Sequence, residues 1–179
     1  MSKSASLVAL MLLFATTALA QEKVRDYGIG HVATPAEIAG WDIDVRADGE
    51  GLPSGHGSVR DGQKVYADNC AACHGDNGEG KIGDKLVGGF GTLATGKPVK
   101  TVGSYWPYAT TLFDYIRRAM PFTAPQSLTN DQVYAVAAYV LFLNKIVPED
   151  AVLDAQTLPK VAMPNRNGFT SHDPRPDVP

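Results

Sequence analysis

Residues 70–74 read Cys-Ala-Ala-Cys-His, and this pentapeptide decides how the rest of the chain is interpreted. C-x-x-C-H is the attachment signature of c-type haem. One helical turn sets the two thiols at the spacing of the two vinyl groups on one porphyrin edge. The next residue, His74, then directs its imidazole at the iron. We therefore predict one covalently attached haem c, bound through Cys70 and Cys73 and ligated by His74.

Two other uses of a C-x-x-C pair conflict with the surrounding sequence. A zinc site takes four ligands, and the sequence has neither a second cysteine pair nor two histidines at H-x3–5-H spacing. A thioredoxin-type redox pair occurs in a strand–helix context, whereas the flanking pattern here is helical. Haem attachment is the interpretation that remains.

The second axial ligand of the iron has to come from elsewhere in the chain. Beyond the N-terminal segment, Met120 and Met163 are the thioether candidates, and a proline follows each of them. Met120 falls between two predicted helices, where a loop can fold back over the haem, whereas Met163 falls in a proline-rich tail. His31, His56, His172 and an open position are the alternatives. From this position we predict Met120, and the resulting His/Met ligation raises the haem potential and suits electron transfer.

The first twenty residues are typical of a secretory signal peptide. Lys3 precedes an apolar stretch from Leu7 to Ala15, and Ala18-Leu19-Ala20 fits a small-x-small cleavage site. The apolar stretch is shorter than the roughly 20 residues that span a bilayer. We predict cleavage of residues 1–20, a periplasmic location and no membrane span.

Charge argues against a nucleic-acid partner, because the chain carries a formal net charge of −3. The charge is unevenly distributed, however. Residues 80–120 hold six basic and two acidic side chains, a net charge of +4, whereas residues 21–57 hold three basic and seven acidic ones, a net charge of −4. Either these are ordinary solvated faces, or the basic side presents the haem to an acidic partner while the arm forms a different patch.

Capping patterns and apolar periodicity predict an all-α protein with two extensions. Residues 21–57 are interpreted as an arm with one short helix, which begins at Pro35 and ends at Gly40, and we expect Trp41 to anchor this arm on the core. The haem domain spans residues 58–145, and residues 146–179 form an irregular, proline-rich tail.

Within the haem domain, helices are predicted to begin near Ser58, Pro107 and Thr129, the first and last of these at capping patterns. Residues 75–103 are interpreted as haem-enclosing loops in which Leu86 and Phe90 pack on the haem or fill the core. The last helix is expected to bury one apolar stripe formed by Val133, Val136, Val140 and Leu143.

The order of these elements resembles a class I cytochrome c over residues 58–145: a haem-bearing helix, a middle helix, a methionine loop and a last helix. The resemblance implies that Gly62 and Tyr66 lie where the first helix crosses the last, with Tyr139 as their partner. It also implies that the backbone carbonyl of residue 84 orients the haem histidine. Relatives usually have proline there, whereas this chain has Asp84.

Three strings carry a narrower resemblance over nearly the whole mature chain: ATPAEIAGWDIDV, VKTVGSYWPYATTLFDYIRRAMPF and AYVLFLN. They are similar to the cytochrome subunit of the sulfane dehydrogenase in the Sox thiosulfate-oxidising system, and to cytochromes that partner periplasmic molybdenum sulfite dehydrogenases. Longer members of that group have a second haem domain, whereas this sequence has one C-x-x-C-H.

This resemblance implies a molybdenum-cofactor subunit that oxidises a sulfur compound and passes single electrons to the haem. The chain itself is then an electron-transfer protein rather than an enzyme, and a downstream cytochrome or oxidase receives its electrons. Two other classes of function are open. A free-standing shuttle to a terminal oxidase needs neither the arm nor the tail, and a haem enzyme or gas sensor with an open sixth position is disfavoured by Met120.

Overall fold

The computed structural model describes residues 27–170. The predicted signal peptide and His172 lie outside these residues. The described chain separates into two units, residues 27–35 and residues 36–170. The first unit is exposed along its length and includes His31. The second unit contains almost all of the regular secondary structure.

The described secondary structure is mainly helical, as predicted, and includes one small sheet. In chain order its elements are α1 Pro35–Trp41, β1 His56–Ser58, α2 Val59–Asn69, α3 Ala71–His74, α4 Ala109–Ala119, α5 Asn130–Leu143, β2 Val152–Asp154 and a 3-10 turn Leu158–Lys160. Within residues 27–170, no helix is long and apolar enough to cross a membrane.

Side-chain caps determine where α2 and α5 begin. The Ser58 hydroxyl accepts a hydrogen bond from the Asp61 backbone N–H (3.1 Å). At α5, Thr129 and Gln132 exchange side chain-to-backbone hydrogen bonds in a capping box. Each cap satisfies amides that the first helical turn leaves without a partner. Both predicted starts are confirmed, whereas α4 begins at Ala109 rather than at Pro107.

Helix α5 occupies the centre of the fold and packs against α2, α4 and both strands. Nine consecutive residues, Val133 to Leu141, are buried. The predicted stripe is buried or half-buried, but burial also extends to the other faces of the helix, because neighbouring elements cover it on several sides. Alanines within the buried run, including Ala135, let those neighbours approach closely.

Helices α2 and α5 cross at Gly62, as the resemblance to class I cytochromes implies. A Cβ atom on Gly62 would lie 1.9 Å from the Ala135 carbonyl oxygen and 2.8 Å from Tyr139 Cβ. Beside the crossing, the rings of Tyr66 and Tyr139 pack with their centroids 5.3 Å apart. Glycine is required here because any side chain would push the two helix backbones apart.

The residues after α5 are more ordered than an irregular tail. Strand β2 pairs antiparallel with β1, so the segment before α2 and the segment after α5 form one two-stranded sheet. Leu153, Leu158 and Met163 are buried in the core. The prediction of irregular structure was wrong for residues 152–163, because these apolar side chains attach the segment to the helices.

The segment 42–48 is attached to α4 by hydrogen bonds. The Val45 backbone N–H donates to the carboxylate of Asp114 (3.1 Å), and Arg118 forms an ion pair with the same carboxylate. Arg117 donates to the backbone carbonyl of Ile43 (3.2 Å). Asp114 is only 8% exposed, so a buried carboxylate on α4 holds this part of the arm.

Trp41 does not anchor the arm, so that prediction was wrong. Helix α1 ends at Trp41, one residue later than predicted, and the Trp41 side chain is 86% exposed. Within the described chain, α1 buries none of its residues. The sequence identified a large apolar side chain but gave no information on whether the core covers it.

Candidate haem-binding site

The predicted attachment residues lie together around α3, a single helical turn. Backbone N–H groups of Cys73 and His74 both donate to the Cys70 carbonyl, at 3.1 and 2.9 Å. Both cysteines are free thiols; Cys70 is half-buried and Cys73 is exposed. The turn therefore presents two thiols that are accessible from the surface, followed directly by an imidazole.

A backbone carbonyl fixes the orientation of the His74 ring. Its Nδ1 lies 2.7 Å from the carbonyl oxygen of Asp84. An oxygen acceptor assigns the ring proton to Nδ1, which leaves the lone pair of Nε2 available to a metal. The hydrogen bond implied for the residue-84 carbonyl is confirmed, and Asp84 provides it.

The loop that carries Asp84 is bound to the end of α3. Gly80 N–H donates to the His74 carbonyl (2.7 Å), and Gly83 N–H donates to the Cys73 carbonyl (2.9 Å). A Cβ atom on Gly83 would lie 2.9 Å from His74 Cε1 and 3.1 Å from Nδ1. Gly83 thus leaves the space in which the ring can reach the Asp84 carbonyl.

Replacing Gly83 with alanine is expected to displace the His74 ring and weaken its hydrogen bond to Asp84. A weaker hydrogen bond makes the imidazole a poorer electron donor, so the haem midpoint potential should rise. Overpacking should also cost about 1–3 kcal/mol of stability. Redox titration and denaturant unfolding of the haem-loaded protein would measure both effects.

Gly96→Ala is the matched control, because a Cβ atom on Gly96 meets nothing within 4 Å. If the two variants have the same haem midpoint potential and the same stability, Gly83 does not determine the orientation of the His74 ring.

Tyr66 holds the residue that follows the motif. Its hydroxyl donates to the Gly75 carbonyl (2.8 Å). Burial is the main cause that raises the pKa of Tyr66 well above its ordinary value, with the neighbouring Cys70 adding to it. The hydroxyl is therefore a protonated donor throughout the physiological pH range. Sequence reasoning placed Tyr66 at the helix crossing and missed this second contact.

Asn144 attaches the following loop to the end of α5. Its side chain is buried, accepts a hydrogen bond from Gly88 N–H (3.2 Å) and donates to the carbonyls of Leu86 (3.1 Å) and Val140 (3.0 Å). Sequence reasoning missed this role, although a polar residue that ends the apolar run AYVLFLN is a signal for it. Leu86 packs against the core, whereas Phe90 is 49% exposed.

The two candidate thioether ligands occupy different environments. Met120 caps the C-terminus of α4, is half-buried and packs against the same core cluster as Cys70. Met163 is 3% exposed within that cluster. Of the other candidates, His56 lies exposed in β1. Met120 is thus the thioether positioned at the start of a surface loop.

The chemistry of the cysteines and His74 fits covalent attachment of haem c. Among residues 27–170, no group of three or more His, Cys, Asp or Glu side chains could hold a metal ion. Burial, and secondarily the charge of Cys73, raises the pKa of the Cys70 thiol to about 11. Two accessible thiols beside an oriented imidazole match covalent haem attachment.

Comparisons with known proteins agree with this geometry. The cytochrome c family model matches residues 59–144. A chain of the crystal structure of the sulfane dehydrogenase SoxCD from Paracoccus pantotrophus is 46% identical, with a TM-score of 0.78 over 83% of this chain and 73% of that chain. The chain belongs to the cytochrome c family. This cytochrome has the class I fold, carries covalently bound haem c, and transfers electrons without being an enzyme itself.

A curated relative matches a smaller part of the cytochrome. The thiosulfate dehydrogenase of Stutzerimonas stutzeri (strain A1501) is 33% identical over 89 residues, which are 49% of this chain. These residues cover 28% of the relative, so the likeness concerns one segment of a longer protein.

Proposed function

We propose that this cytochrome accepts single electrons from a periplasmic molybdenum sulfite or sulfane dehydrogenase, as its subunit or its electron acceptor, during the oxidation of sulfur compounds. The observation that carries the proposal is the 46% identity to a chain of the SoxCD structure over 83% of this chain. That coverage extends well beyond residues 59–144, the part shared with cytochromes c in general. The similarity therefore includes residues outside the haem domain. Because a free-standing shuttle needs neither the arm nor the tail, this favours a dedicated enzyme partner.

In the proposed site, Cys70 and Cys73 carry the thioether bonds, and His74 Nε2 and Met120 Sδ are the axial ligands. Bound haem c supplies a one-electron Fe(III)/Fe(II) couple whose potential a His/Met pair raises. The Asp84 carbonyl keeps the proton on His74 Nδ1 and the ring in one orientation. Burial of Met163 in the core supports the choice of Met120.

The proposal also includes the organisation inferred from the sequence. Residues 1–20 are a signal peptide that directs the protein to the periplasm, residues 21–57 an arm, residues 58–145 the haem domain and residues 146–179 the C-terminal extension. Electrons leave the cytochrome for a downstream cytochrome or oxidase.

The basic side of the haem domain is proposed to guide the encounter with the dehydrogenase. In the segment 80–120, several cations make contacts within the chain: Arg118 pairs with Asp114, and the Lys100 ammonium lies 4.9 Å from the centre of the Tyr105 ring. Lys85 and Lys97 are exposed. Complementary charge mainly raises association rates and fixes orientation, so these two lysines are suited to steering an acidic partner surface.

Changing Lys85 and Lys97 together to glutamate is expected to slow association with the dehydrogenase about tenfold at low salt. The difference should shrink as salt rises, because the Debye length is about 8 Å at physiological ionic strength. The haem spectrum should not change. Stopped-flow reduction of the cytochrome by the purified, substrate-reduced dehydrogenase, measured across ionic strengths, would give the rate.

Lys64 and Lys160, which are also exposed, provide a control with the same change of charge outside the basic segment. Equal rates for both double variants would contradict steering by the basic side. If the dehydrogenase does not reduce the wild-type cytochrome at all, the proposed partner is wrong.

A further inference from the structure

Helix α1 presents an apolar face that the described chain leaves uncovered. Ile38 is 52% exposed and Trp41 86% exposed, and residues three apart lie on the same face of a helix. Isolated helices shorter than about 12–15 residues are marginal in water, and most helical stability comes from packing of an apolar face. Among residues 27–170 nothing buries a side chain of α1, so this short helix gains little stability from packing within the described chain.

The segment after α1 carries a row of acidic side chains. Burial alternates along it: Ile43, Val45 and Ala47 are buried or half-buried, while Asp42, Asp44 and Asp48 are exposed, with the exposed Arg46 among them. We call these three aspartates the acidic row. Across residues 36–50, five acidic residues outnumber one basic residue, for a net charge of −4.

The acidic row is held in place from its inner side. The three inward-facing residues all bond to α4, through Val45 N–H to Asp114 (3.1 Å), Ile43 carbonyl to Arg117 (3.2 Å) and Ala47 carbonyl to Thr110 (3.3 Å). An element fixed before binding loses less conformational entropy when it binds. The row is thus a pre-organised surface attached to α4, the helix that Met120 caps.

We propose that α1 and the acidic row dock the cytochrome onto the dehydrogenase, with Ile38 and Trp41 filling an apolar groove that is rimmed by lysine or arginine. This rests on the proposed function and assigns the groove to that partner. Exposed tryptophan is among the residues most enriched in interface hot spots. A second copy of this chain would bring two acidic rows together, and an anionic membrane would repel the row, so charge favours a partner with a basic rim.

The test measures two quantities for the haem-loaded cytochrome and the purified dehydrogenase: the dissociation constant, and the rate of haem reduction in the saturated complex. Trp41→Ala should raise the dissociation constant about tenfold or more and leave the rate within the complex unchanged. Phe169→Ala removes another exposed aromatic side chain (54% exposed) and should change neither quantity.

A second variant tests the charged part of the surface. Changing Asp42 and Asp44 together to lysine should raise the dissociation constant about tenfold at low salt, and by less as salt increases. Circular dichroism and the haem spectrum should match the wild type, because the altered side chains are exposed.

The possible results separate this surface from the proposed function. If Trp41→Ala binds as tightly as the wild type, and the dehydrogenase still reduces both, the docking surface is wrong and the proposed function stands. If the dehydrogenase neither binds nor reduces the wild-type cytochrome, both fail. A Trp41-dependent dimer of the cytochrome in sedimentation, or Trp41-dependent binding to phosphatidylcholine–phosphatidylglycerol vesicles, would assign the face to another occupant and overturn the proposal.

Discussion

Met120→Ala is expected to remove the thioether ligand from the haem iron and to lower the midpoint potential. Thioether ligation raises the potential of His-ligated haem, and axial ligands together span roughly 0.8 V, so we expect a drop of about 0.1 V or more. The weak far-red charge-transfer band of ferric His/Met haem should disappear as well. Spectra of the oxidised protein and a redox titration would measure both changes.

Met163→Leu is the control for this prediction. Met163 lies buried in the core, and leucine fills a similar volume at a cost usually below about 1.5 kcal/mol. The far-red band and the potential should therefore survive. If the band persists in Met120→Ala, or disappears in Met163→Leu, the assignment of the sixth ligand is wrong.

Gly62→Ala is expected to destabilise the haem-loaded protein by about 3 kcal/mol, at the upper end of overpacking costs. The added Cβ atom would lie 1.9 Å from the Ala135 carbonyl oxygen. A backbone oxygen cannot rotate away as a side chain does, so α2 and α5 must separate. Domains of this kind have a free energy of unfolding of about 5–15 kcal/mol. This one methyl group should therefore remove a large part of that stability. Denaturant unfolding followed by circular dichroism would measure the change.

Gly40→Ala provides a helical control, because a Cβ atom there has open space around it. Alanine is the better helix former by about 1 kcal/mol, so this variant should be neutral or slightly stabilising. Similar stability of the two variants would contradict the importance of close contact at the Gly62 crossing.

The parts of the fold that sequence reasoning predicted well depend on local chemistry. Ser58 and Thr129 cap helices through hydrogen bonds with residues three positions ahead. A four-residue sequence is therefore enough to predict where each helix begins. The C-x-x-C-H spacing is local in the same way. The position of Gly62 was implied by family resemblance, since one glycine in a helix does not reveal which partner crosses it.

The parts that were missed depend on partners distant in sequence. Periodicity assigns α5 one apolar stripe, but the burial of Val133 to Leu141 results from packing against four other elements. Strand β2 is three residues long and gives no alternating pattern of useful length. Trp41 was misplaced because hydrophobicity alone does not distinguish a buried side chain from an exposed one.

Sequence reasoning predicted the residues that would bind the haem, but not the residues that hold the surrounding segments in place. Cys70, Cys73, His74 and Met120 were selected because of the chemical groups they carry and their place in the helix order. Asp114 and Asn144 act through hydrogen bonds to backbone groups more than fifty residues away. The sequence marks each of them as a polar residue within or next to an apolar run, without saying what it binds.

The pairing of β1 with β2 has a consequence for the order of folding. Along the chain, β1 precedes α2 and β2 follows α5. Pairing of the two strands therefore closes a loop of chain that contains nearly the whole haem domain. The entropic cost of loop closure grows with loop length, and two three-residue strands recover little of it before α5 is in place. The sheet should therefore form last and open first, and its amide protons should exchange with solvent earlier than those of α2 and α5.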